Sequence, residues 1–493
     1  MIGSVALTSS IQRQLRDHLL QNRYQEDLCF ALWQPSQGKT RFTALLIEAI
    51  MPENGDRLLH GNASVTPAYF EKVLGRALEK GAGIAFMHSH PVPGWQDMSG
   101  DDIRTEQAMA AQAKAVTGLP LLGMTIGTDG AWSARFWQKI GPGRYERRSC
   151  QSVRVVGEDG FNITYDDRLL PPPKFRKELQ RTISAWGIQK QQELARVKVG
   201  VVGLGSVGDM VAEALARVGI QSVSLIDFDI VEQHNLDRLL HATKCDYLDA
   251  NLKVSVAAKA LKRNATAKDF TVVEVPYSVT EEEGFRRALD CDILFSCVDR
   301  PWGRYVLNLI AYAHLIPVID GGIAVTSKKD GRLLGADWQA HIAMPSRRCL
   351  ACLEQYDPAY IQVEREGRLD DPSYIRNLPP EHSLRRNENV FPFSLNLASL
   401  EVLQMLSLVV APLGISDVGK QDFHFVLGTM DNRPSGVCED YCRFPSIIAT
   451  GDSCDIKATG EHPKAKAIHE KRKRAKRSFK SIFLDIFKRT NKT

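Results

Sequence analysis

Residues 197–238 constrain this chain most. They read VKVGVVGLGSVG, a helical stretch at 209–218, then VSLIDFDIVEQHNLDR. An apolar run meets Gly203, Gly205 and Gly208 in the spacing G-x-G-x-x-G. That pattern predicts a strand entering a glycine turn and a helix N-terminus, where backbone N–H groups cradle phosphate. A second apolar run ends in Asp227-Phe228-Asp229. It lies about 20 residues past the glycines, where folds of this type hold a ribose hydroxyl.

The continuation narrows the chemistry. Asn235 and Arg238 follow, then Lys253 at helical distance, and Asp299 closes the later apolar run CDILFSCVD. A hydride-transfer enzyme has no need of Asn and Arg there. An enzyme that splits a triphosphate does, because cations must offset charge developing between the α-phosphate and its leaving pyrophosphate. Asp299 is a plausible Mg²⁺ carboxylate. Strands alternating with helices beyond 253, through 271–275, 292–298 and 316–319, predict a parallel, doubly wound sheet with ligands at strand C-termini.

Over about 174–445 the chain resembles the ThiF/MoeB-like, ubiquitin-activating-type adenylyltransferases. The glycine loop, D-x-D-x-V-E-x-x-N-L-x-R, Lys253 and Asp299 carry the resemblance. It implies binding of MgATP and adenylation of the C-terminal carboxylate of a ubiquitin-like protein ending in Gly. It also implies roles: Asp229 on ribose; Asn235, Arg238 and Lys253 on phosphates; Asp299 at the metal; Asp227 beside them. The family carries R-x-x-R-Q before the glycine loop, its second Arg reaching a partner's site across a homodimer. Here Arg176 and Gln180 fit, but Leu179 stands at that second Arg, with Arg181 adjacent.

A second chemical centre lies near the front. Residues 84–87 predict a short strand leading into His88-Ser-His90-Pro91, and Ser99-Gly-Asp-Asp102 follows a loop. Two His on an extended segment face one side. With one carboxylate they make three zinc ligands and an open position, the catalytic arrangement, where a water is acidified. Over about 8–140 the pattern resembles the JAMM (MPN-type) metalloproteases, which cleave after a ubiquitin-like C-terminus. The resemblance implies His88, His90 and Asp102 as ligands, Ser99 steadying the oxyanion, and a Glu at the start of an early strand as general base. Glu26 matches that place and Glu48 is the alternative. The loop before Ser99 is one residue longer than usual, and Asp101 competes with Asp102; the Ser-x-x-Asp spacing favours Asp102.

Cys349-Leu-Ala-Cys352 and Cys438-Glu-Asp-Tyr-Cys442 pair C-x₂-C with a distant C-x₃-C. That spacing predicts a closed, structural Cys₄ zinc site; a redox C-x-x-C is the alternative. No cysteine falls between 353 and 437, where thioester-forming members of the family carry one. Cys245 and Cys454 are the remaining thioester candidates, Cys291 and Cys297 being on a predicted buried strand.

At 493 residues the chain is too long for one core. The expected fold class is α/β. A JAMM-type mixed α/β domain (1–145) precedes a linker (146–173), punctuated by Gly141-Pro-Gly143 and Pro171-Pro-Pro173. A Rossmann-like ThiF/MoeB domain (174–460) and a basic amphipathic tail (461–493) follow. From His462 onward there are 12 Lys/Arg and 2 Asp/Glu, a net of +10, so a chain of net +5 has a body near −5. The tail pattern KRKRAKR with Phe479, Ile482, Phe483, Ile486 and Phe487 suits an acidic partner, an anionic membrane surface or docking on the body. Ten cysteines without a charged start and apolar h-region predict a reducing cytoplasm. The longest apolar candidates, such as 405–413, are core-sized.

The expectation is therefore one chain with opposed activities on a ubiquitin-like protein: zinc-dependent trimming or removal in front, ATP-dependent activation behind. Such a fusion resembles bacterial ubiquitin-like modification systems, often of defence type, with a separate conjugating enzyme. The alternative is sulfur-carrier activation for cofactor synthesis.

Overall fold

The computed structural model describes the chain except residues 23, 61, 329, 378–387 and 473–493. The apolar stripe of the tail and most of KRKRAKR thus lie outside the described residues. Two sheets organise the rest, one for each half of the chain.

The front sheet holds β1 (Ile2–Thr8), β2 (Leu28–Gln37), β3 (Arg41–Ile50), β6 (Gly83–Ser89), β7 (Leu121–Ile126), β8 (Trp132–Gly141), β9 (Arg144–Ser149), β10 (Ser152–Gly157) and β11 (Gly160–Tyr165). Between β3 and β6, β4 (Arg57–His60) and β5 (Asn62–Val65) form a separate hairpin. The order is β11-β10-β1-β3-β2-β6-β7-β8-β9. Helix Ser9–Leu19 covers one face through Leu15 and Leu19. Helices Pro67–Lys80 and Gly100–Thr117 cover the other through Tyr69, Val73 and Ala110. With helices on both sides, every residue of β6 is buried, which is why this strand reads as an unbroken apolar run into the two histidines.

The linker expected at 146–173 is not one. Residues 144–165 form β9, β10 and β11, and β10 pairs in parallel with β1. The short apolar alternation at 153–156 was the signal: Val153 and Val156 face the core. Only the segment around Pro171–173 runs extended between the two sheets.

The rear sheet holds β12 (Lys198–Val202), β13 (Ser222–Ile226), β14 (Thr271–Val275), β15 (Ile293–Ser296), β16 (Val318–Ser327), β17 (Leu333–Ala343), β18 (Lys420–His424) and β19 (Thr429–Arg433). Its order, β14-β13-β12-β15-β16-β17-β18-β19, is parallel from β14 to β16 and antiparallel beyond. The chain reverses direction across the sheet between β12 and β15, the switch point where doubly wound sheets open a crevice. Helix Phe391–Val410 is longer than the 405–413 run suggested. It is long and apolar enough to cross a membrane by composition, but two thirds of that stretch is buried in the protein. Leu397, Met405 and Leu408 pack beneath the sheet.

The two halves are locked by buried charge. Arg41 of β3 and Arg154 of β10 both reach Asp292, at 2.7 and 3.0 Å, with all three side chains at most 3% exposed. Ser36 hydrogen-bonds His314 at 2.8 Å nearby. Burial, with Arg286 and Arg154 adding to it, pushes His314 down to about 3, so it serves there as a neutral group.

Candidate functional site

The rear crevice is a cavity of about 1140 Å³. Gly203, at the end of β12, has φ +90°, a conformation that disfavours any side chain. A Cβ on Gly208 would meet the Gly203 carbonyl oxygen at 1.9 Å, so helix Ser206–Val218 seats directly on the loop. Beside Gly205 a Cβ would meet nothing within 4 Å, and this glycine opens onto the cavity. These features fit a phosphate cradle.

Asp227, Asp229, Asn235, Arg238, Lys253 and Asp299 all line the same cavity, although they come from two strand ends, a turn and a helix start. Asp227 accepts from the backbone N–H of Leu204 at 2.6 Å and of Asp229 at 2.7 Å, so it also shapes the backbone on both sides of the crevice. Asp229 has Lys253 on one oxygen at 3.1 Å and Lys464 on the other at 3.0 Å. Burial pushes the Asp229 carboxyl up, but the two lysines outweigh it and hold it below its ordinary value. Burial likewise works against the charged Lys253, yet Asp227, Asp229 and Asp299 raise it, so it stays an ammonium. Asn235 caps its own turn by accepting from Glu232 N–H at 3.1 Å, which sets the course of the chain toward Arg238. Among the described residues, Arg238 pairs with its neighbour Asp237, at 2.9 Å. His241, three residues on, is clamped by Asp209 at 2.6 Å and Glu213 at 3.2 Å on helix Ser206–Val218.

Leu179 is 1% exposed and packs near Gly219, so the trans-arginine position is an apolar anchor; Arg181 lies exposed on helix Gln180–Trp186. Burial pushes the thiol of Cys291 up to about 12 and that of Cys297 well above its ordinary value, the latter helped by Glu401. Neither is a nucleophile at neutral pH. Cys245 is exposed and Cys454 half-buried.

Sequence reasoning missed the C-terminal contribution. Residues 463–472, expected to belong to a tail, are helical, and His462 and Lys464 line the cavity. His462 stacks on Trp302 at 5.8 Å and lies 4.7 Å from Phe228. The local sequence gave no signal of this beyond one buried alanine, Ala465, and a basic run that reads as solvated.

In the front half, His88 Nε2 and His90 Nε2 are 3.1 Å apart. Asp102 offers one oxygen to each, at 3.6 and 3.4 Å. Three ligand atoms about 2.1 Å from a tetrahedral zinc are spaced at roughly 3.4 Å, so the set fits that ion. Asp102 is placed by its helix cap: Ser99 Oγ accepts from Asp102 N–H, and Asp102 accepts from Ser99 N–H at 2.8 Å. Asp101 faces away and pairs with Arg104, so the ambiguity between the two aspartates is resolved by geometry. Burial pushes the Asp102 carboxyl up, but His88 and His90 outweigh it and it lies well below its ordinary value. Behind His88, Thr125 approaches its Nε2 at 3.5 Å and receives Arg135 at 2.6 Å, which in turn is held by buried Glu106. Glu26 and His90 line one groove of about 610 Å³. Glu48 is instead paired with Arg76 at 3.0 Å on helix Pro67–Lys80.

Cys349, Cys352, Cys438 and Cys442 gather with all four sulfurs within 4.8 Å. The 3.6 Å between the sulfurs of Cys349 and Cys442 is near the roughly 3.8 Å edge of a tetrahedral zinc-thiolate site.

A parallel sheet thus brings a glycine loop, acidic strand ends and convergent cations together at its switch point. Residues 178–407 match the ThiF family. The adenylyltransferase and sulfurtransferase MOCS3 of Xenopus laevis is 32% identical over 169 residues, 34% of this chain and 36% of that protein. The ubiquitin-like modifier-activating enzyme 5 of Culex quinquefasciatus is 33% identical over 135 residues, 25% of this chain and 33% of that protein. The chain thus spans about a third of the length of these curated relatives. A solved structure of E. coli MccB with MccA-N7isoASN overlays with a TM-score of 0.42 at 16% identity, covering 55% of this chain and 74% of that one.

Proposed function

We propose that the rear domain adenylates the terminal carboxylate of a ubiquitin-like or sulfur-carrier protein. The observation that carries the reading is the convergence of Arg238, Lys253 and Asp299 with the glycine loop on one cavity. A carboxylate oxygen attacks the α-phosphorus, forming an acyl–phosphate bond, and the bond to the leaving pyrophosphate breaks. The glycine loop binds phosphate, Asp229 takes the ribose hydroxyls, and Arg238 and Lys253 offset the charge that gathers on the leaving group. Asp299 is the residue to hold Mg²⁺, which would share that charge. The cavity volume exceeds the range for one small ligand, leaving room for the modifier's C-terminal residues beside ATP.

For the front domain the reading is zinc-dependent hydrolysis next to such a C-terminus. What supports it is the matched spacing of His88, His90 and Asp102 and the shared groove of His90 and Glu26. Bound there, zinc would acidify a water; Glu26 would take the proton and Ser99 would donate to the oxyanion. The four cysteines would hold a structural zinc. One curated relative is named for adenylyl transfer with sulfur transfer and the other for activating a ubiquitin-like modifier, which supports keeping both carrier classes. Activity as a homodimer, with a separate conjugating enzyme and in a reducing compartment, belongs to the same reading.

The test is ATP–pyrophosphate exchange with candidate carrier proteins ending in Gly. Carrier-dependent exchange is the expected result. No exchange with any such protein or peptide, from a preparation that binds MgATP, would sink the substrate assignment.

A further inference from the structure

Asp229 is held from both sides, and the two lysines that hold it are unequal. Lys253 starts helix Lys253–Asn264, and its side chain is 12% exposed. Lys464 comes from the far end of the chain and its side chain is 36% exposed. A ribose that hydrogen-bonds Asp229 competes with both ammoniums for its oxygens, and the more exposed of the two is Lys464.

The backbone beneath Lys464 is not free. Ala458 is 4% exposed and its carbonyl accepts from Trp302 Nε1 at 2.7 Å and Arg365 at 2.8 Å. Gly460 N–H donates to the Thr280 carbonyl at 2.8 Å. His462 is 5% exposed, stacked on Trp302 and 3.5 Å from Glu364; Ala465 is fully buried, and His469 reaches the Pro276 carbonyl at 2.7 Å. The segment is a fixed wall carrying one movable charge.

The charge balance of the cavity gives that lysine work. Arg300 is committed to the Leu369 carbonyl and Asp370. Arg304 is committed to Asp320 and to the carbonyls of Gly321 and Gln355. Of the described arginines and lysines lining the cavity, this leaves Arg238, Lys253 and Lys464 to face a triphosphate, which carries about four negative charges near neutral pH.

Resting on the adenylation reading, we propose that Lys464 is a nucleotide-binding residue supplied within the same chain, whose ammonium moves from Asp229 to a phosphate oxygen when ATP enters. His462 and Lys464 are then part of the nucleotide site rather than of a tail.

The test titrates the full chain with MgATP and, separately, with adenosine, by calorimetry. Lys464→Ala is expected to weaken MgATP about tenfold, the scale of one charge-assisted hydrogen bond at a partly exposed site. Adenosine affinity stays within about twofold, because adenosine offers no phosphate. Lys464→Arg restores most of the loss. Lys466→Ala, on the same helix but paired with Glu461 at the surface, changes neither. Thermal melts accompany each variant, and Lys464→Gln repeats the measurement if Lys464→Ala melts early. Unchanged MgATP affinity in both neutral variants overturns the proposal. So does tighter binding of adenosine and MgATP together, which would make Lys464 a plug on Asp229. Failure of the wild-type chain to bind MgATP is a separate outcome that removes the adenylation reading itself.

Discussion

The two polar centres are built in opposite ways. The front cluster is nearly local: His88 and His90 close one strand, and Asp102 enters on the first turn of the next helix, oriented by the Ser99 cap. Its acceptors already lie at ligand spacing, with Thr125, Arg135 and Glu106 stacked behind them. The rear site gathers its groups from residues 203 to 464, and its charges satisfy one another while they wait: Lys253 and Lys464 on Asp229, Arg238 on Asp237. A site for an ion of the size of zinc is rigid because such an ion tolerates little error in distance. A site for a large, flexible polyanion keeps cations on exchangeable partners, so that binding swaps one ion pair for another instead of exposing a bare charge.

The comparison can be broken most sharply by His88→Ala. Zinc bound at the front cluster and hydrolysis of an extended carrier protein are both expected to disappear, while carrier-dependent pyrophosphate exchange persists. Retained zinc-dependent cleavage would refute the ligand set. Its counterpart is Arg238→Ala, expected to lower exchange by about two orders of magnitude. Front-domain hydrolysis should be untouched, and a parallel loss there would mean that the two sites are not independent.

Next in size is Asp292→Ala, which strands two buried arginines between the halves. It is expected to cost about 3–5 kcal/mol by urea unfolding, and the two sheets should then unfold in separate steps. A single transition at the wild-type midpoint would show that this triad does not bind the halves together.

A smaller effect is expected at His241. Burial opposes its charge, but hydrogen bonds and ion pairing with Asp209 and Glu213 win, and the folded pKa lies above the ordinary 6.5. A raised folded pKa means that the contribution is complete below the unfolded pKa, near 6.5, and is lost as pH rises through the folded value. Wild type is therefore expected to lose about 1–2 kcal/mol relative to His241→Gln as pH is raised from below 6.5 into the alkaline range. Parallel stability profiles for the two proteins would exclude it.

The least effect is assigned to Glu48→Gln. Its partner Arg76 is at the surface, so stability should shift by less than about 1 kcal/mol, and hydrolysis should not change. Glu26→Gln, by contrast, is expected to reduce hydrolysis about 10²-fold. A reversal of these two outcomes would move the general base from one strand to the next.

Much of this was legible because it is encoded over short distances. The glycine spacing at 203–208, the apolar strand periods and the C-x₂-C and C-x₃-C pairs each describe a local geometry that the backbone must adopt. Strand ends in a doubly wound sheet also converge by topology, so Asp229 and Asp299 were placed at one crevice without coordinates. Residues 146–165 read as a linker because few of their buried positions are apolar: Ser152 and Arg154 are buried beside Val153 and Val156.

By itself, then, the sequence determined the two sheets, the cradle, the histidine–aspartate cluster and the thiol pairs, since each depends on neighbours a few residues apart. Tertiary structure alone decided the rest. It bonded Asp227 to the backbone, turned Asp101 outward and Asp102 inward, buried Leu179 as packing, joined the halves through Asp292 and brought Lys464 to Asp229. The physical reason is common to all five. Whether a charge is free or committed depends on which partner reaches it across space, and those partners lie tens to hundreds of residues away in the chain.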